Sequence, residues 1–480
     1  MSPGSRAIWL AAAVAALVAF VPAPAAFAKR HSIAASARHH NFLVFKLEDI
    51  APPSVRSARL RMGGHARRMP VRAVRAAARR GTLRARVPKR WRRSSRSSHS
   101  TRTQGRSARA QQRPPKLVLM ISSSVPSEPT TVTPSPPPSP PAPLPPDAKF
   151  VSASGSDSDP GTESAPWRTI AKAISAAQPG DTIVLAAGTY GARGTTTNAD
   201  TSGTATAPIT FMGHPGQPKP MILGHFKIDG DYLRFSRLFF NGPTGRVKDI
   251  SSENPKGEQV QVTINGDHDT ISNSEIANSD WHAGIYLSGA EDARIVGNYI
   301  HDNGDDGSCC HQYQWNASHG IYFSSGSGLI ANNVIEHNLA RGVQLYKHPH
   351  DVLVTENTIV RNGRAGVQVA KETANSTVAN NIVAYNGDTG IRSDSLSGTG
   401  NLVIDNLLWE NAYPGRNLDG LTLRDNVSAA PRFVNSTDYH VQRGSPAIDQ
   451  ANASYAVTDD HDGVRRPQGG APDIGAFEAH

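Results

Sequence analysis

The sequence predicts an all-β chain built around a right-handed parallel β-helix with a capping helix at its N-terminal end. A small basic, β-rich module and a Pro-rich linker precede it. Three observations support this fold. A period of about 24 residues runs through the second half, each period holds only short apolar runs, and one amphipathic segment precedes the first period. Such a period, without room for a helix, is typical of a solenoid of stacked coils.

Two residue series carry the period. A Gly followed by Ile or Val recurs in steps of 22 to 36 residues, and an Asn with a second Asn five residues later recurs in steps of 24 to 35. The glycines are Gly284, Gly320, Gly342, Gly366 and Gly390, and the leading asparagines are Asn273, Asn298, Asn333, Asn357, Asn381 and Asn406. The single long step in each series places one insertion at 302–315.

Stacking is the only way for such short runs to bury a face. Coils wound about 4.8 Å apart bring each run onto its neighbour and enclose one core. We expect the asparagines to take left-handed backbone at the corners and to bond the same Asn one coil away. A β-propeller is the rival fold, but its period is nearer about 40 residues.

Both ends of the solenoid have candidate caps. Residues 167–174 place apolar side chains at helical spacing, which predicts a short amphipathic helix over the N-terminal mouth. Residues 472–478 are expected to close the other mouth.

Four regions follow from composition. Residues 1–28 have a basic start, a short apolar core and an Ala-Phe-Ala end, typical of a secretory signal peptide; an uncleaved membrane anchor is the alternative. Residues 29–121 form a basic, partly disordered module. Residues 122–147 contain 11 prolines and predict an extended polyproline II spacer. Residues 148–480 form the β-helix domain.

Charge divides the chain in the same way. The 480 residues carry a net charge of +10, yet residues 29–116 hold 25 Lys and Arg against 2 acids, whereas residues 117–480 hold 24 against 38. Within the basic module, residues 42–47, 58–62 and 83–87 predict strands. Outside the cell, an anionic wall polymer is the expected partner of this charge. Nucleic acid is not expected, because aromatic content is low at 6%.

Residues 149–478 resemble the secreted bacterial right-handed β-helix proteins of the pectate-lyase-like superfamily. Pro166-Trp167-Arg168-Thr169-Ile170 and Pro179-Gly180-Asp181-Thr182-Ile183 look like that family's N-terminal cap. Arg466-Pro467 and Asp473-Ile474-Gly475-Ala476-Phe477-Glu478 are similar to its C-terminal segment. The resemblance implies the fold, which hosts lyases, hydrolases, epimerases and non-catalytic surface proteins alike.

The residue after each inward Ile or Val should point outward, since side chains alternate along a strand. Stacking turns this position into an exposed ladder suited to sugar binding, and solvated sheet surface is the alternative. The ladder residues are Tyr286, Tyr322, Gln344, Gln368 and Arg392. Arg341, Arg364 and Lys371 lie beside it and are candidates for binding a substrate carboxylate.

One turn stands out as a candidate catalytic corner. Tyr346-Lys347-His348-Pro349-His350-Asp351 is similar to the Tyr-x-x-Asp-Pro-His motif of alginate epimerases, although His348 replaces the Asp and the Tyr is one residue closer. The resemblance implies acid and base roles for Tyr346 and His350. Lys347 is a further candidate base, since Lys, His or Tyr can take a proton next to a neutralised carboxylate.

The insertion holds two more candidates. Asp302, Asp305 and Asp306 offer hard oxygen ligands for Ca²⁺, and a polar turn is the alternative. Cys309 and Cys310, the only cysteines, can pair within the chain only as a strained vicinal disulfide; free thiols or an intermolecular bridge remain open.

These features predict an exported or envelope-associated protein that binds, and modifies by β-elimination or a related proton abstraction, an acidic polysaccharide. A non-catalytic surface or adhesion protein is the alternative. No cofactor other than Ca²⁺ is expected, nor any transmembrane segment after the signal peptide.

Overall fold

The computed structural model describes the strands of residues 28–122 and, from residue 143 to 479, everything except 243–259, 280–281, 305–317, 395 and 414–416. The chain divides into two compact units, Met1–Pro138 and Ser139–His480. Each unit is described by itself.

The first unit contains two small antiparallel sheets, ordered β1-β7-β4-β5 and β2-β3-β6. Its strands are β1 (Ala28–Ala34), β2 (Ala37–His39), β3 (Phe42–Lys46), β4 (Val55–Met62), β5 (His65–Met69), β6 (Thr82–Arg86) and β7 (Lys116–Ser122). The three strands that the sequence predicts correspond to β3, β4 and β6.

The second unit is one parallel β-helix of 24 strands. In chain order the strands are β8 (Lys149–Val151), β9 (Thr182–Leu185), β10 (Thr189–Ala199), β11 (Ile209–Gly213), β12 (Met221–Ile228), β13 (Leu233–Ser236), β14 (Phe239–Asn241), β15 (Val262–Ile264), β16 (Thr270–Ser272), β17 (Glu275–Ala277), β18 (Ala283–Val296), β19 (Tyr299–His301), β20 (His319–Ala331), β21 (Val334–Glu336), β22 (Val343–Thr355), β23 (Thr358–Val360), β24 (Val367–Val369), β25 (Thr377–Ala379), β26 (Ile382–Ala384), β27 (Ile391–Arg392), β28 (Asn401–Ile404), β29 (Leu407–Trp409), β30 (Leu421–Arg424) and β31 (Val427–Ser428). A short helix, α1, spans Ile170–Ala176, and a 3₁₀ turn spans Ala453–Tyr455.

Each coil contributes to three stacked parallel sheets. In one coil these are residues 343–345 of sheet A, 353–355 of sheet B and 358–360 of sheet C, and the next coil repeats them 24 residues later. A turn of variable length joins sheet A to sheet B, and a turn of two residues joins sheet B to sheet C. The 24-residue period of the sequence is therefore one complete coil.

The core is a set of apolar columns inside the coils. In sheet A, Ile285, Ile321, Val343, Val367 and Ile391 are register partners on successive coils and are all buried. Phe211, Phe226, Phe235 and Phe240 fill the N-terminal coils, with ring centroids 5.2–5.3 Å apart in three pairs. Burial of this continuous column replaces the single globular core that such short strands cannot form alone.

Two asparagine ladders line the turns, as the sequence predicts. Asn298, Asn333, Asn357, Asn381, Asn406 and Asn426 form one, in which each Nδ2 donates to the next Oδ1 at 2.8–3.0 Å. Asn303, Asn338, Asn362, Asn386 and Asn411 form the other, at 2.9–3.1 Å. Each ladder satisfies buried amides by joining one coil to the next.

Two details of that prediction are wrong. Ser274 and Ser279, rather than Asn273 and Asn278, occupy the first ladder positions, since their backbone amides donate to Asn298 and Asn303. The left-handed residue is the one before each ladder position, such as Glu356 at φ 51° and Tyr385 at φ 60°. Asn273 and Asn278 are left-handed as predicted, at φ 49° and 62°, because they precede Ser274 and Ser279. The ladder amides also bond the preceding coil's carbonyls, and this holds them in place without left-handed backbone.

The repeated glycines leave room for the second ladder. A Cβ on Gly342 would lie 2.8 Å from the carbonyl oxygen of Gly366 and 3.0 Å from Nδ2 of Asn362. Gly366 has the same relation to Gly390 and Asn386. Glycine therefore recurs here because a Cβ would collide with the backbone of the next coil and with side chains of its own coil, of which Ile359 is the nearest at 2.5 Å from the Gly342 position.

Helix α1 confirms the predicted N-terminal cap. Thr169 caps it by accepting a hydrogen bond from the backbone amide of Lys172 at 3.1 Å, and Ile170, Ala173 and Ile174 are buried. These three side chains belong to the same apolar cluster as the first coils.

The predicted role of residues 472–478 is wrong. The C-terminal segment (residues 431–479) covers the outer face of sheet C instead of the mouth. Its Tyr439, Ala447, Ile474 and Phe477 form one buried cluster with Val334, Val360, Ile382 and Leu407 of that face. The outward positions of sheet C on these coils include the apolar Val334, Val360, Ile382 and Leu407, and covering them removes apolar surface from water.

Candidate functional site

The outer face of sheet A brings the predicted ladder residues together. Tyr286, Tyr322, Gln344, Gln368 and Arg392 are register partners on five successive coils. The same column continues toward the N-terminal end through Thr263, Lys227 and Asn198. The stacking is as predicted.

The predicted exposure of the ladder is wrong. Tyr322, Gln344 and Gln368 are only 8%, 6% and 5% exposed, whereas Tyr286 and Arg392 are half-buried. The ladder is therefore a partly covered surface and not a solvated one. A second row of large side chains lies just before the repeat glycines, on the same coils.

The first two coils of the ladder form an aromatic cluster. The ring centroids of Tyr286 and Tyr322 lie 5.2 Å apart, and His282 lies 5.4 Å from the first and 5.1 Å from the second. His319 and Tyr346 lie 5.5 Å and 6.4 Å from Tyr322. Rings at these separations pack favourably and offer flat apolar surface.

Burial keeps His282 and Tyr322 uncharged near neutral pH. Burial and, to a smaller extent, the nearby charge of Lys347 lower the pKa of His282 to about 4. Burial also raises the pKa of Tyr322 to about 12, with smaller contributions from Tyr286 and Tyr346.

The next three coils form a cationic cluster. Burial and, to a smaller extent, the charges of Arg364 and Arg392 lower the pKa of Arg341 to about 10, so each of these two guanidinium groups is close enough to repel that of Arg341. Asp388 offsets part of this charge and pairs with Arg392, with Nη1 and Oδ2 3.3 Å apart. An added anion is favoured here because it relieves the repulsion.

Two amide oxygens lie between these clusters. Among the described residues, the Oε1 atoms of Gln344 and Gln368 are buried and have no hydrogen-bond partner. An unpartnered buried acceptor costs free energy, and a donor such as a sugar hydroxyl removes that cost.

The candidate catalytic corner follows the sheet A strand of one coil. Lys347 and Lys371 occupy equivalent positions on neighbouring coils, and both have left-handed backbone, at φ 90° and 35°. The Nζ of Lys371 lies 5.9 Å from the ring centroid of Tyr346. Both Tyr346 and Lys347 lie beside the aromatic cluster. Tyr346 helps to raise the pKa of Tyr322, and the charge of Lys347 helps to lower the pKa of His282.

His350 does not fit the role of base. Its Nε2 lies 3.3 Å from Glu291 and its Nδ1 lies 3.0 Å from Asp351, so both ring nitrogens face carboxylates. The hydrogen bond to Asp351 raises the pKa of His350. A ring whose two nitrogens both face carboxylates has no free lone pair to offer a substrate. His348 is engaged similarly, 2.8 Å from Glu372.

The insertion candidates are mostly untested. Asp305, Asp306, Cys309 and Cys310 lie outside the described residues, so the Ca²⁺ site and the disulfide stay predictions. Asp302 lies at the edge of that gap, and its Oδ2 is 3.1 Å from Nδ1 of His301. Among the described residues, no group of three His, Cys, Asp or Glu side chains is arranged to hold a metal ion.

Sequence reasoning missed His282. It lies two residues before Gly284, as Arg364 and Asp388 lie two residues before Gly366 and Gly390. His319 and Arg341 lie one residue before their glycines. Large polar or aromatic residues recur one or two residues before the repeat glycines, and this recurrence could have indicated the second row. The contacts between the half-buried aromatic rings could not be predicted from the spacing.

Comparison with known proteins supports the fold. Residues 149–413 match the family model described as the Pel9A-like right-handed β-helix region. The crystal structure of pectate lyase Pel9A superposes with a TM-score of 0.52 at 16% identity, covering 69% of this chain and 97% of that one. A rhamnogalacturonan lyase structure covers 58% of this chain and 73% of its own, at 14% identity and a TM-score of 0.37.

One curated relative matches over a shorter stretch. The uncharacterized protein YwoF of Bacillus subtilis (strain 168) is 29% identical over 143 residues, which is 28% of each chain. The chain thus spans little more than a quarter of that relative's length. Within the described residues, no helix is both long and apolar enough to cross a bilayer. The match over more than half of the 480 residues shows that the chain belongs to the Pel9A-like right-handed β-helix family.

Proposed function

We propose that the outer face of sheet A binds an acidic polysaccharide and that the chain cleaves it by β-elimination. The observation that carries this proposal is the cluster of Arg341, Arg364 and Arg392 on three successive coils of the ladder. Guanidinium groups bind carboxylates through paired hydrogen bonds, and the neighbouring Gln344 and Gln368 accept from sugar hydroxyls. The names of the lyases with this fold are consistent with such a substrate.

In this reaction the arginines are proposed to neutralise the negative charge of the substrate carboxylate. It acidifies the proton on the carbon next to the carboxyl group, and a base then removes that proton. The electron pair left behind forms a double bond to the neighbouring carbon as the bond to the glycosidic oxygen breaks. The departing oxygen takes a proton from an acid, so atoms and charge balance.

Lys347 in its neutral form is the proposed base, and Tyr346 is the proposed acid. Both follow the ladder strand on the coil of Gln344 and Arg341. Lys371 lies over the Tyr346 ring and is proposed to attract a further carboxylate. His350 is not retained as base because two carboxylates occupy it.

The test is the ultraviolet absorbance of the unsaturated product after incubation with uronate polymers. Wild-type protein should produce it, and Lys347→Met should lower the rate by about 10²–10⁴-fold, typical of a lost general base. Arg364→Gln should raise KM. Arg294→Gln, an exposed arginine on sheet B, should change nothing. Binding without any absorbance would favour a non-catalytic carbohydrate-binding or adhesion protein.

We further propose that the chain is exported and that residues 29–121 hold it at the envelope by binding an anionic wall polymer. The register of β4 with β5 and β7 places Arg59, Arg61, Arg68 and Lys116 at positions of one sheet face. A protein lacking residues 29–121 should stay in the supernatant when mixed with purified wall polymer. The full chain should sediment with the polymer and be released by salt.

A further inference from the structure

The ladder has different chemistry at its two ends. Moving from the coil of Tyr286 to the coil of Arg392, the pairs of ladder and second-row side chains change from Tyr with His, through Gln with Arg, to Arg with Asp. Each coil is about 4.8 Å from the next, close to the length of one sugar unit in an extended polymer. A polymer lying along the axis therefore meets a different surface at each unit.

The aromatic end favours an uncharged sugar. His282, Tyr286 and Tyr322 present buried or half-buried rings within 5.4 Å of one another. A carboxylate pressed onto such rings loses hydration without gaining a bidentate partner, which is unfavourable. The apolar face of a neutral sugar stacks on them without that cost. The charges of two cations reach this cluster, that of Lys347 at His282 and that of Arg341 at Tyr322.

The cationic end favours a charged sugar. Arg341 and Arg364 lie on the coils of Gln344 and Gln368, so each of these coils offers a guanidinium donor beside a buried, unpartnered amide oxygen. A uronic acid unit supplies the matching groups, which are a carboxylate acceptor and hydroxyl donors. A neutral unit there would leave the guanidinium groups repelling one another.

We propose that the ladder selects, in one direction, a polysaccharide segment in which neutral or esterified units precede free uronic acid units. This inference rests on the proposed function and deepens it, because it specifies that the substrate contains both neutral and charged units and that it binds in one chain direction. A uniformly charged polymer is accepted, but it places carboxylates on the aromatic end at a cost in affinity.

Two positional isomers of one oligosaccharide test the proposal. Both are hexauronates with the same number of methyl esters, grouped at the reducing end in one and at the non-reducing end in the other. The fully charged hexauronate is the third probe. Dissociation constants are measured by calorimetry with the Lys347→Met protein, so that no probe is cleaved.

One isomer should bind at least tenfold more tightly than the other and more tightly than the fully charged oligomer. Tyr286→Leu should reduce this ratio of affinities toward one. Arg364→Gln should weaken the binding of both isomers and reduce the salt dependence of that binding. Equal affinity of the isomers, or tightest binding of the fully charged probe, would overturn the inference and leave the proposed function standing. Failure of all three probes to bind would contradict the proposed function itself.

Discussion

The outer faces of sheets A and C belong to different short strands of the same coils and are buried in different ways. Sheet C presents apolar residues such as Val360 and Ile382, and the C-terminal segment covers them. Sheet A presents Tyr, Gln and Arg, and Tyr322, Gln344 and Gln368 among them are also buried. Burial alone therefore does not separate a structural face from a binding face.

Hydrogen bonding also differs between the two faces. In the segment that covers sheet C, the buried Arg466 donates to Glu478 at 2.6 Å, to the carbonyl oxygens of Asp473 and Gly475 at 2.9 and 2.7 Å, and to Asn332 at 3.2 Å. Within the described part of the chain, its Nε and the Oε1 of Glu356 lack hydrogen-bond partners, but these two side chains form an ion pair at 3.7 Å. On sheet A, Gln344 and Gln368 keep buried oxygens without partners among the same residues. A face whose polar groups are largely paired within its own chain stabilises the fold, and a face with unused acceptors is suited to a ligand.

The largest effect is expected from Arg466→Met. The change leaves Glu478 and Glu356 buried without their cation, which costs about 3–5 kcal/mol. Urea unfolding measures this loss, and Arg294→Met should cost less than about 0.5 kcal/mol. Below its unfolding midpoint, the Arg466→Met protein should still bind oligouronate, because the ladder is on another face. A change below about 1 kcal/mol would mean that the C-terminal segment is not held as described.

A smaller, pH-dependent effect is expected at His301 on sheet C. Burial alone would lower its pKa, but hydrogen bonds to Asp302 and Glu275 outweigh burial and raise the pKa to about 9. The stabilisation is then complete below pH 6.5 and is lost as pH rises through 9, by at most roughly 3 kcal/mol. Unfolding midpoints between pH 6 and 10 should fall more steeply for wild-type protein than for His301→Gln. Parallel curves for the two proteins would rule out this contribution.

The smallest change in stability is expected at the ladder. Gln368→Met removes a buried oxygen without a partner, so the unfolding free energy should stay constant or rise by up to about 1 kcal/mol. Oligouronate affinity should nevertheless fall, since the acceptor for a hydroxyl is gone. Val369→Ala, which truncates an inward side chain on the same strand, is the matched control and should show the reverse pattern. Loss of stability in Gln368→Met would place this residue among the structural ones.

Much of the fold could be predicted because its signals are local and repeated. The Gly and Asn series identify the coil, since Gly342 and Asn362 face a steric and a hydrogen-bonding requirement that recurs every turn. The one-residue error at Asn273 arose because Ser274 meets the same backbone requirement with a different side chain. The Asn series was defined by residue type, so it missed Ser274, whose ladder position is defined by the hydrogen bond of its backbone amide to Asn298.

The site could be predicted only in part. Alternation along the strand placed Tyr322 and Gln344 in one column, but it carried no information on what covers them. The contact of His350 with Glu291 could not be predicted, because Glu291 lies 59 positions earlier in the chain and reaches His350 only through stacking. The docking of the C-terminal segment on sheet C is equally non-local, since Arg466 contacts Asn332, which lies 134 positions earlier in the chain, and Glu356 on the next coil.

The most direct test of the central claim is a crystal structure of the Lys347→Met protein with an oligouronate. The ligand should lie along the ladder from Tyr286 to Arg392, with a carboxylate within hydrogen-bonding distance of Arg341 or Arg364. A ligand bound elsewhere, such as the cavity of about 420 Å³ beside His440 and Arg443, with the ladder left empty, would contradict the account.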